Sequence, residues 1–322
     1  MHLLLRSLLL LLAGGLFFAF AGLVAIWAPD KSVAELSDRW ARAPSQFISI
    51  ADLKVHLRDE GPRDDPMPIV LLHGTSDSLH TWDGWTAVLA GTRRVIRFDL
   101  PGFGLTGPRG DDDYSVAAYT RFVQAVLDHL DVRRCVLVGN SLGGQVAWEA
   151  AIAMPARVAR LVLVDAAGYV SQPQSVPLAL PLAFRLATAP GINRLFEFVL
   201  PRGLVLSSLR GVYGDPAKVT PELVDRYYDM ALRAGNRRAL GYRMKAGQTD
   251  GSARIGKLKQ PTLVMWGRRD HLIPLLVGER FARDIPGARL VVFDDLGHLP
   301  HQEDPLRTAT ELQKFLGENP PN

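Results

Sequence analysis

The 322-residue chain contains a single cysteine, Cys135. That excludes a disulfide framework within the chain and a cysteine-rich zinc site. Cys135 opens an apolar run, Cys135-Val-Leu-Val138, and reads as a small buried hydrophobe rather than a nucleophile. Basic runs are also lacking, since none exceeds two residues, and no RNA- or DNA-binding motif is present. The net charge of +4 is therefore no argument for a nucleic-acid partner. The 29 glycines and 22 prolines follow no period, which excludes collagen-like and repeat architectures. The 48% hydrophobic content excludes a disordered chain.

Charge is absent between Ser7 and Pro29, and 22 of the first 29 residues are apolar. A helix of that length would reach roughly 34 Å, against a hydrocarbon core of ~30 Å. Arg6 precedes the segment, Asp30 and Lys31 follow it, and Trp27 stands where an interfacial aromatic is expected. Residues 1–29 are thus expected to form a single-pass transmembrane helix that anchors the protein in a membrane. Residues 30–46 would be a tether. A cleaved signal peptide ending at Ala19-Phe20-Ala21 is the alternative, giving a secreted product. Apolar character continues past that site to Ala28, which favours the anchor. The Lys/Arg balance leans toward the C-terminal side inside.

Beyond the tether, residues 47–57 alternate as a half-buried strand does, with a turn at Asp52-Leu53. Short apolar runs follow at 69–72, 94–98, 135–138 and 158–164, separated by helical patterns at 82–89, 115–130 and 141–154. Near-continuous Val/Leu/Ile strands are covered on both faces. Strands alternating with helices then predict an α/β fold with a mostly parallel central sheet. The rhythm breaks at Gly168 and resumes at Thr262. The core is accordingly expected over 47–167 and 251–317, with a helical cap over 168–250.

Gly139-Asn140-Ser141-Leu142-Gly143 follows a strand and opens a helix, the setting a nucleophile elbow requires. A serine hydroxyl needs a base. Of eight histidines, His298 lies just past a strand, where a loop can carry an imidazole over the sheet edge. His301 is its nearby decoy, expected to be exposed or to stand behind the site. His56 and His129 read as structural or exposed, and His80 and His271 as loop residues without a clear partner. Asp270, after the strand 262–266, is the acid expected to orient His298, with Asp165 as the fallback. Oxyanion donors are expected at the backbone N–H groups of Leu142 and Thr75. One such donor contributes ~3 kcal/mol in comparable acyl transfer. No metal and no organic cofactor is called for.

Five separated motifs occur in order: His73-Gly74 with Ser78 and Trp82, Asp99-x-Pro-Gly-x-Gly104, Gly139-Asn-Ser-Leu-Gly-Gly144, Trp266-Gly-x-x-Asp270, and Gly297-His-x-Pro-x-x-Glu303. Across roughly residues 45–317 the chain resembles the α/β-hydrolase superfamily, in its capped branch. The resemblance implies the triad Ser141, Asp270 and His298, and structural roles for Asp99 and Glu303. Ser141 at the elbow argues against epoxide hydrolases and haloalkane dehalogenases, which place Asp there. The meta-cleavage C–C hydrolases often share a Gly-Asn-Ser-x-Gly-Gly elbow. They usually add a glycine-rich oxyanion loop and a Trp after the catalytic His. Here Thr75-Ser76 and Leu299 stand in those places, which counts against that reading.

The cap is apolar over 176–186, 192–199 and 203–212, and Thr220-Pro221-Glu222 is a helix start. It holds eleven Lys/Arg against six Asp/Glu, more than the whole chain's excess. Beside an anchor, such a surface would suit anionic headgroups. The expectation is a membrane-anchored serine hydrolase of hydrophobic carboxylic esters. The competing readings are a C–C bond hydrolase and a ligand-binding relative without activity.

Overall fold

The computed structural model describes residues 26–169, 197–247 and 250–318, with scattered positions between Arg6 and Val24. Eight strands form one sheet in the order β1-β2-β4-β3-β5-β6-β7-β8. They are β1 Gln46–Ile50, β2 Leu53–Glu60, β3 Ile69–Leu72, β4 Val95–Phe98, β5 Cys135–Asn140, β6 Val158–Val164, β7 Thr262–Gly267 and β8 Arg289–Phe293. The hairpin β1–β2 and the β2–β4 pair are antiparallel, and the other five pairings are parallel. The chain turns between β1 and β2 at Ala51, with φ of 51°. This is the mostly parallel α/β sheet that the strand patterns predict.

The apolar strands supply two cores because successive side chains point to opposite faces. In β3, Val70 and Leu72 enter one core with α3 (Val116–His129) and α4 (Leu142–Ala153). Ile69 and Leu71 enter the other, with Trp82, Trp85 of α2 (Asp83–Leu89) and Leu312 of the C-terminal helix Pro305–Gly317. The apolar face of α3 is the one its spacing implies: Tyr119, Phe122, Val123, Val126 and Leu127 are all buried. Ser115 caps that helix by accepting from Ala118 N at 3.2 Å.

Between β6 and β7 lie α5 (Arg202–Val212), α6 (Pro221–Leu232) and α7 (Asn236–Lys245). The Thr220 hydroxyl caps α6 through Leu223 N at 3.2 Å. Leu209, Tyr213, Val219 and Val224 form a separate apolar cluster that reaches Leu299. Tyr227 Oη donates to Asp77 at 2.6 Å, and Asn236 Nδ2 to Gly104 O at 2.9 Å, which holds these helices over the strand ends. The apolar stretch 176–186 lies outside the described residues, as does most of 192–199. The basic excess is partly spent internally: Arg202, Arg237 and Arg238 pair with Asp225, Asp30 and Asp112.

The expected N-terminal membrane anchor requires correction, and with it the membrane-anchored placement of the protein. Among the described residues no helix is long and apolar enough to cross a membrane. Most of residues 1–25 lie outside the described ones. The described end of the segment is committed to the fold. Ala28 N donates to Phe198 O at 2.9 Å, Leu200 N to Ile26 O at 3.1 Å, and Trp27 stacks on Phe198. Both of these rings remain about half exposed. Residues 30–46, expected as a tether, contain helix α1 (Val33–Trp40) with a Ser32/Glu35 capping box. Lys31 and Trp40 both bond Asp229 of α6, at 2.7 and 2.8 Å.

Asp99, just past β4, ties three segments together. It is fully buried and accepts from His56 Nδ1 at 2.8 Å, Leu79 N at 2.7 Å and Leu105 N at 2.7 Å. Burial works against its ionised form, but the neighbouring His56, His73 and His80 outweigh it and hold the carboxyl below its ordinary value. A depressed carboxyl contributes stability above the unfolded pKa of ~3.9 and loses it as pH falls through the folded value. Asp99→Asn is expected to cost about 3 kcal/mol at pH 7 in urea unfolding. The gap from wild type should narrow below about pH 4, and an equal gap at both pH values would contradict this role.

Candidate active site

The central strand β5 ends at Asn140, and α4 begins at Leu142. One residue, Ser141, makes the turn, with φ of 54° and ψ of −117°. Such a backbone costs ~1–3 kcal/mol and persists only where its surroundings over-determine it. Ser141 N donates to Val164 O at 3.1 Å, and Ser141 O accepts from Gln145 N and Ala167 N at 3.1 and 3.0 Å. Gly143 permits the close approach: a Cβ there would lie 2.4 Å from Leu72 O. The Ser141 side chain is thereby left at a cavity wall, beside the N-terminus of a 12-residue helix.

The loop after β3 crosses that turn at Gly74, where a Cβ would meet Asn140 Oδ1 at 3.0 Å and Ser141 Cβ at 3.1 Å. Thr75 follows and lines the same cavity as Leu142. Neither backbone N–H donates to another group among the described residues.

Asp270 and His298 come from loops after β7 and β8 and meet at 2.7 Å, Oδ2 to Nδ1. Asp270 Oδ1 accepts from Leu272 N and Ile273 N at 2.7 and 2.9 Å, which fixes the carboxylate. His298 is held from both backbone sides: its N–H bonds Val212 O at 2.8 Å, and its carbonyl accepts from Asn140 Nδ2 at 3.0 Å. Glu303 braces the loop by accepting from Gly297 N and Gly214 N at 2.7 and 2.9 Å. With Nδ1 facing Asp270, Nε2 is the nitrogen available to a serine. Ser141, Leu142, Thr75 and His298 all line one cavity of about 400 Å³. Its walls are mostly apolar, with Phe103, Leu200, Val205, Met230 and Leu240 among them.

Asp165, the fallback acid, is not remote. Side-chain atoms of Asp165, Asp270 and His298 lie within 4.8 Å of one another. Burial first, and the Asp270 charge second, push the Asp165 carboxyl well above its ordinary value. Its Oδ1 accepts from Gly267 N at 3.0 Å. Three such groups could in principle ligate a metal, but Asp270 Oδ2 and His298 Nδ1 are already bonded to each other.

Two further histidines, His301 and His80, are held inside the fold. His301, expected at the surface or behind the site, is fully buried against Thr81 and stacks on Trp82 at 4.0 Å. His80 does have partners: Trp40 O at 2.9 Å and Ser78 Oγ at 3.2 Å. Burial pulls its pKa down to about 3. Sequence reasoning missed Asn140 as the brace of His298. It lies inside the elbow motif, yet no spacing rule links it to a residue 158 positions on.

A turn-borne serine that shares a cavity with an Asp–His pair over a parallel sheet defines a class of hydrolase. The profile of the alpha/beta hydrolase fold matches residues 67–305, and the chain belongs to that family. It is 32% identical over 282 residues to a 2-hydroxymuconate semialdehyde hydrolase of Pseudomonas sp. (strain CF600), covering 84% of this chain and 93% of that one. It is 27% identical to a 2-hydroxy-6-oxononadienedioate/2-hydroxy-6-oxononatrienedioate hydrolase of Cupriavidus pinatubonensis, covering 85% and 95%. A solved meta-cleavage product hydrolase from Pseudomonas fluorescens IP01 superposes with a TM-score of 0.71 at 24% identity, covering 84% and 97%.

These relatives correct the expectation of carboxylic ester hydrolysis, because they are hydrolases of the C–C, meta-cleavage type. The elbow could not separate the two, since a serine, base and oxyanion hole serve attack on any carbonyl carbon. The two departures held against the C–C reading also have local explanations. Glycine is sterically demanded at 74, while Ser76 takes φ of 61° without being glycine. Leu299 packs into the apolar cluster of α5 and α6.

Ser141→Ala is expected to abolish covalent labelling by a fluorophosphonate, and labelling that survives would place the nucleophile elsewhere. Asp270→Asn should lower kcat by about 10⁴-fold. Asp165→Asn removes no charge-assisted bond to His298 and should keep kcat within about tenfold, so equal losses from the two variants would reverse their roles.

Proposed function

We propose that the protein hydrolyses a carbon–carbon bond next to a carbonyl in a ring-fission product, a conjugated enol acid with a ketone or aldehyde. The observation that carries this reading is the set of C–C hydrolases matched over nearly their full length. The site geometry supports it.

In this reading the bound dienol first becomes its keto tautomer, so that the fragment to be expelled can delocalise a carbanion. Ser141 Oγ bonds to the remote carbonyl carbon and its proton passes to His298 Nε2. The N–H groups of Leu142 and Thr75 take the developing oxyanion. Asp270 holds His298 in the tautomer that can accept that proton and stabilises the imidazolium. Collapse breaks the C–C bond, its electron pair enters the dienolate, and the proton on His298 returns to carbon. Water, deprotonated by His298, then releases the acyl group from Ser141. One water is consumed: its OH ends on the acyl carbon and its hydrogen replaces the proton given to the expelled carbon. The apolar walls keep bulk water away while the carbanion forms.

The test is the full chain with 2-hydroxymuconate semialdehyde, followed by loss of its conjugated absorbance. Wild type should consume it with kcat/KM above about 10⁴ M⁻¹s⁻¹, and Ser141→Ala should not. Hydrolysis of p-nitrophenyl butyrate with the dienol left intact would overturn the reading. So would inertness toward both.

A further inference from the structure

The loop between β3 and α2 is pinned at two places. At its start Gly74 lies against the elbow, where a Cβ would come within 3.1 Å of Ser141 Cβ. Further on, Leu79 N donates to Asp99 Oδ1 at 2.7 Å. Between the pins stands Thr75, one of the two residues whose N–H groups are expected to take the oxyanion. So does Ser76, which has φ of 61°. A backbone of that kind persists only where its surroundings hold it. The Ser76 side chain supplies no hold, since its Oγ is buried without a hydrogen-bond partner among the described residues.

The hold comes from the cap. Asp77 is buried, and its Oδ2 accepts from Tyr227 Oη of α6 at 2.6 Å. Its Oδ1 accepts from Ser78 N at 2.8 Å, which ties the carboxylate to the backbone of the loop itself. Among the described residues, no other side-chain bond links residues 75–78 to chain outside the loop. Arg226, the preceding residue on α6, donates from Nη1 to His80 O at 3.2 Å. Neighbouring residues of one cap helix thus hold the loop at Asp77 and again at His80. Hydrogen bonds to a carboxylate are among the stronger kind. Burial first, and the Asp77 charge second, raise the Tyr227 phenol well above its ordinary value, so its hydroxyl remains the donor. Asp77 and Tyr227 line the cavity together with Thr75 and Ser141.

We propose that Tyr227 is a positioning residue for the oxyanion hole: through Asp77 it fixes the loop that presents the Thr75 N–H beside Ser141. The cap is then more than a cover for the substrate, because its seating completes the catalytic site. Such a donor must be well placed, since a displacement of ~1 Å can cost about 10²-fold in rate. This role rests on the serine, base and oxyanion groups of the proposed function, but not on which bond is cleaved.

The full chain is labelled with an alkyl fluorophosphonate, whose reaction at Ser141 puts a P–O oxygen in the same hole. The maximal labelling rate, kinact, is separated from the apparent binding constant, KI. Tyr227→Phe should lower kinact about tenfold or more and leave KI within about twofold. Tyr228→Phe removes a hydroxyl from the next residue of the helix and should leave both within about twofold. Asp77→Asn can keep only one of the two bonds of the carboxylate and should fall between wild type and Tyr227→Phe. Asp77→Ala combined with Tyr227→Phe should be no slower than the slower single variant, because both break one link. A raised KI with unchanged kinact would make Tyr227 a ligand contact and overturn the proposal. Losses that add in the double variant overturn it, as does an unchanged kinact in Tyr227→Phe. The expected labelling pattern in a protein that leaves 2-hydroxymuconate semialdehyde intact keeps the positioning role and removes the C–C reading.

Discussion

The turn at Ser141 is the constraint on which the rest of the molecule depends. A parallel strand buried on both faces must give way within one residue to a helix that packs back on the same sheet. Ser141 accepts a φ of 54° to do so. The strain is held by Val164 O, Gln145 N and Ala167 N, which belong to β6, α4 and the loop after β6. Neighbouring strands must therefore be in register before the turn can form. Leu72 pairs with Gly139, and Gly139 with Leu163, which places the ends of β3, β5 and β6 together. The loops leaving those ends, and those after β7 and β8, supply every remaining group of the candidate site.

Electrostatics at the strand ends follows from burial. Asp99 and Asp165 are both fully buried, yet they are driven in opposite directions. Asp99 faces an imidazole and two backbone N–H groups, and stays ionised as a structural hub. Asp165 faces another carboxylate and is driven toward its neutral form. Had both been ionised, the second would have repelled Asp270 at the point where Asp270 must hold His298.

Much of this was legible in the sequence. The strands, the amphipathic face of α3, the Thr220 helix start and the elbow all announce themselves through local spacing, capping chemistry and steric demand. Long-range pairings did not. The segment 26–31 looks like the tail of an apolar anchor because composition cannot reveal that Phe198 and Leu232 await it. His301 looks like a second candidate base until Trp82 and Thr81 enclose it. The basic excess of residues 168–250 suggests a lipid-facing surface until Asp30, Asp112 and Asp225 are seen to take up three of its arginines.

The sequence by itself determined the α/β class, the order of the motifs and the candidates Ser141, Asp270, His298, Thr75 and Leu142. Those features rest on periodicity and on residues whose local geometry admits few substitutes. Only the tertiary structure decided which acid lies against His298 and where the described end of the N-terminal segment goes. These are distances between residues far apart in the chain, set by sheet register and packing, and no local pattern encodes them. The bond that the site breaks is one level further removed. The same serine, base and oxyanion hole fit more than one carbonyl chemistry, so the choice rests with the substrate that the cavity walls admit.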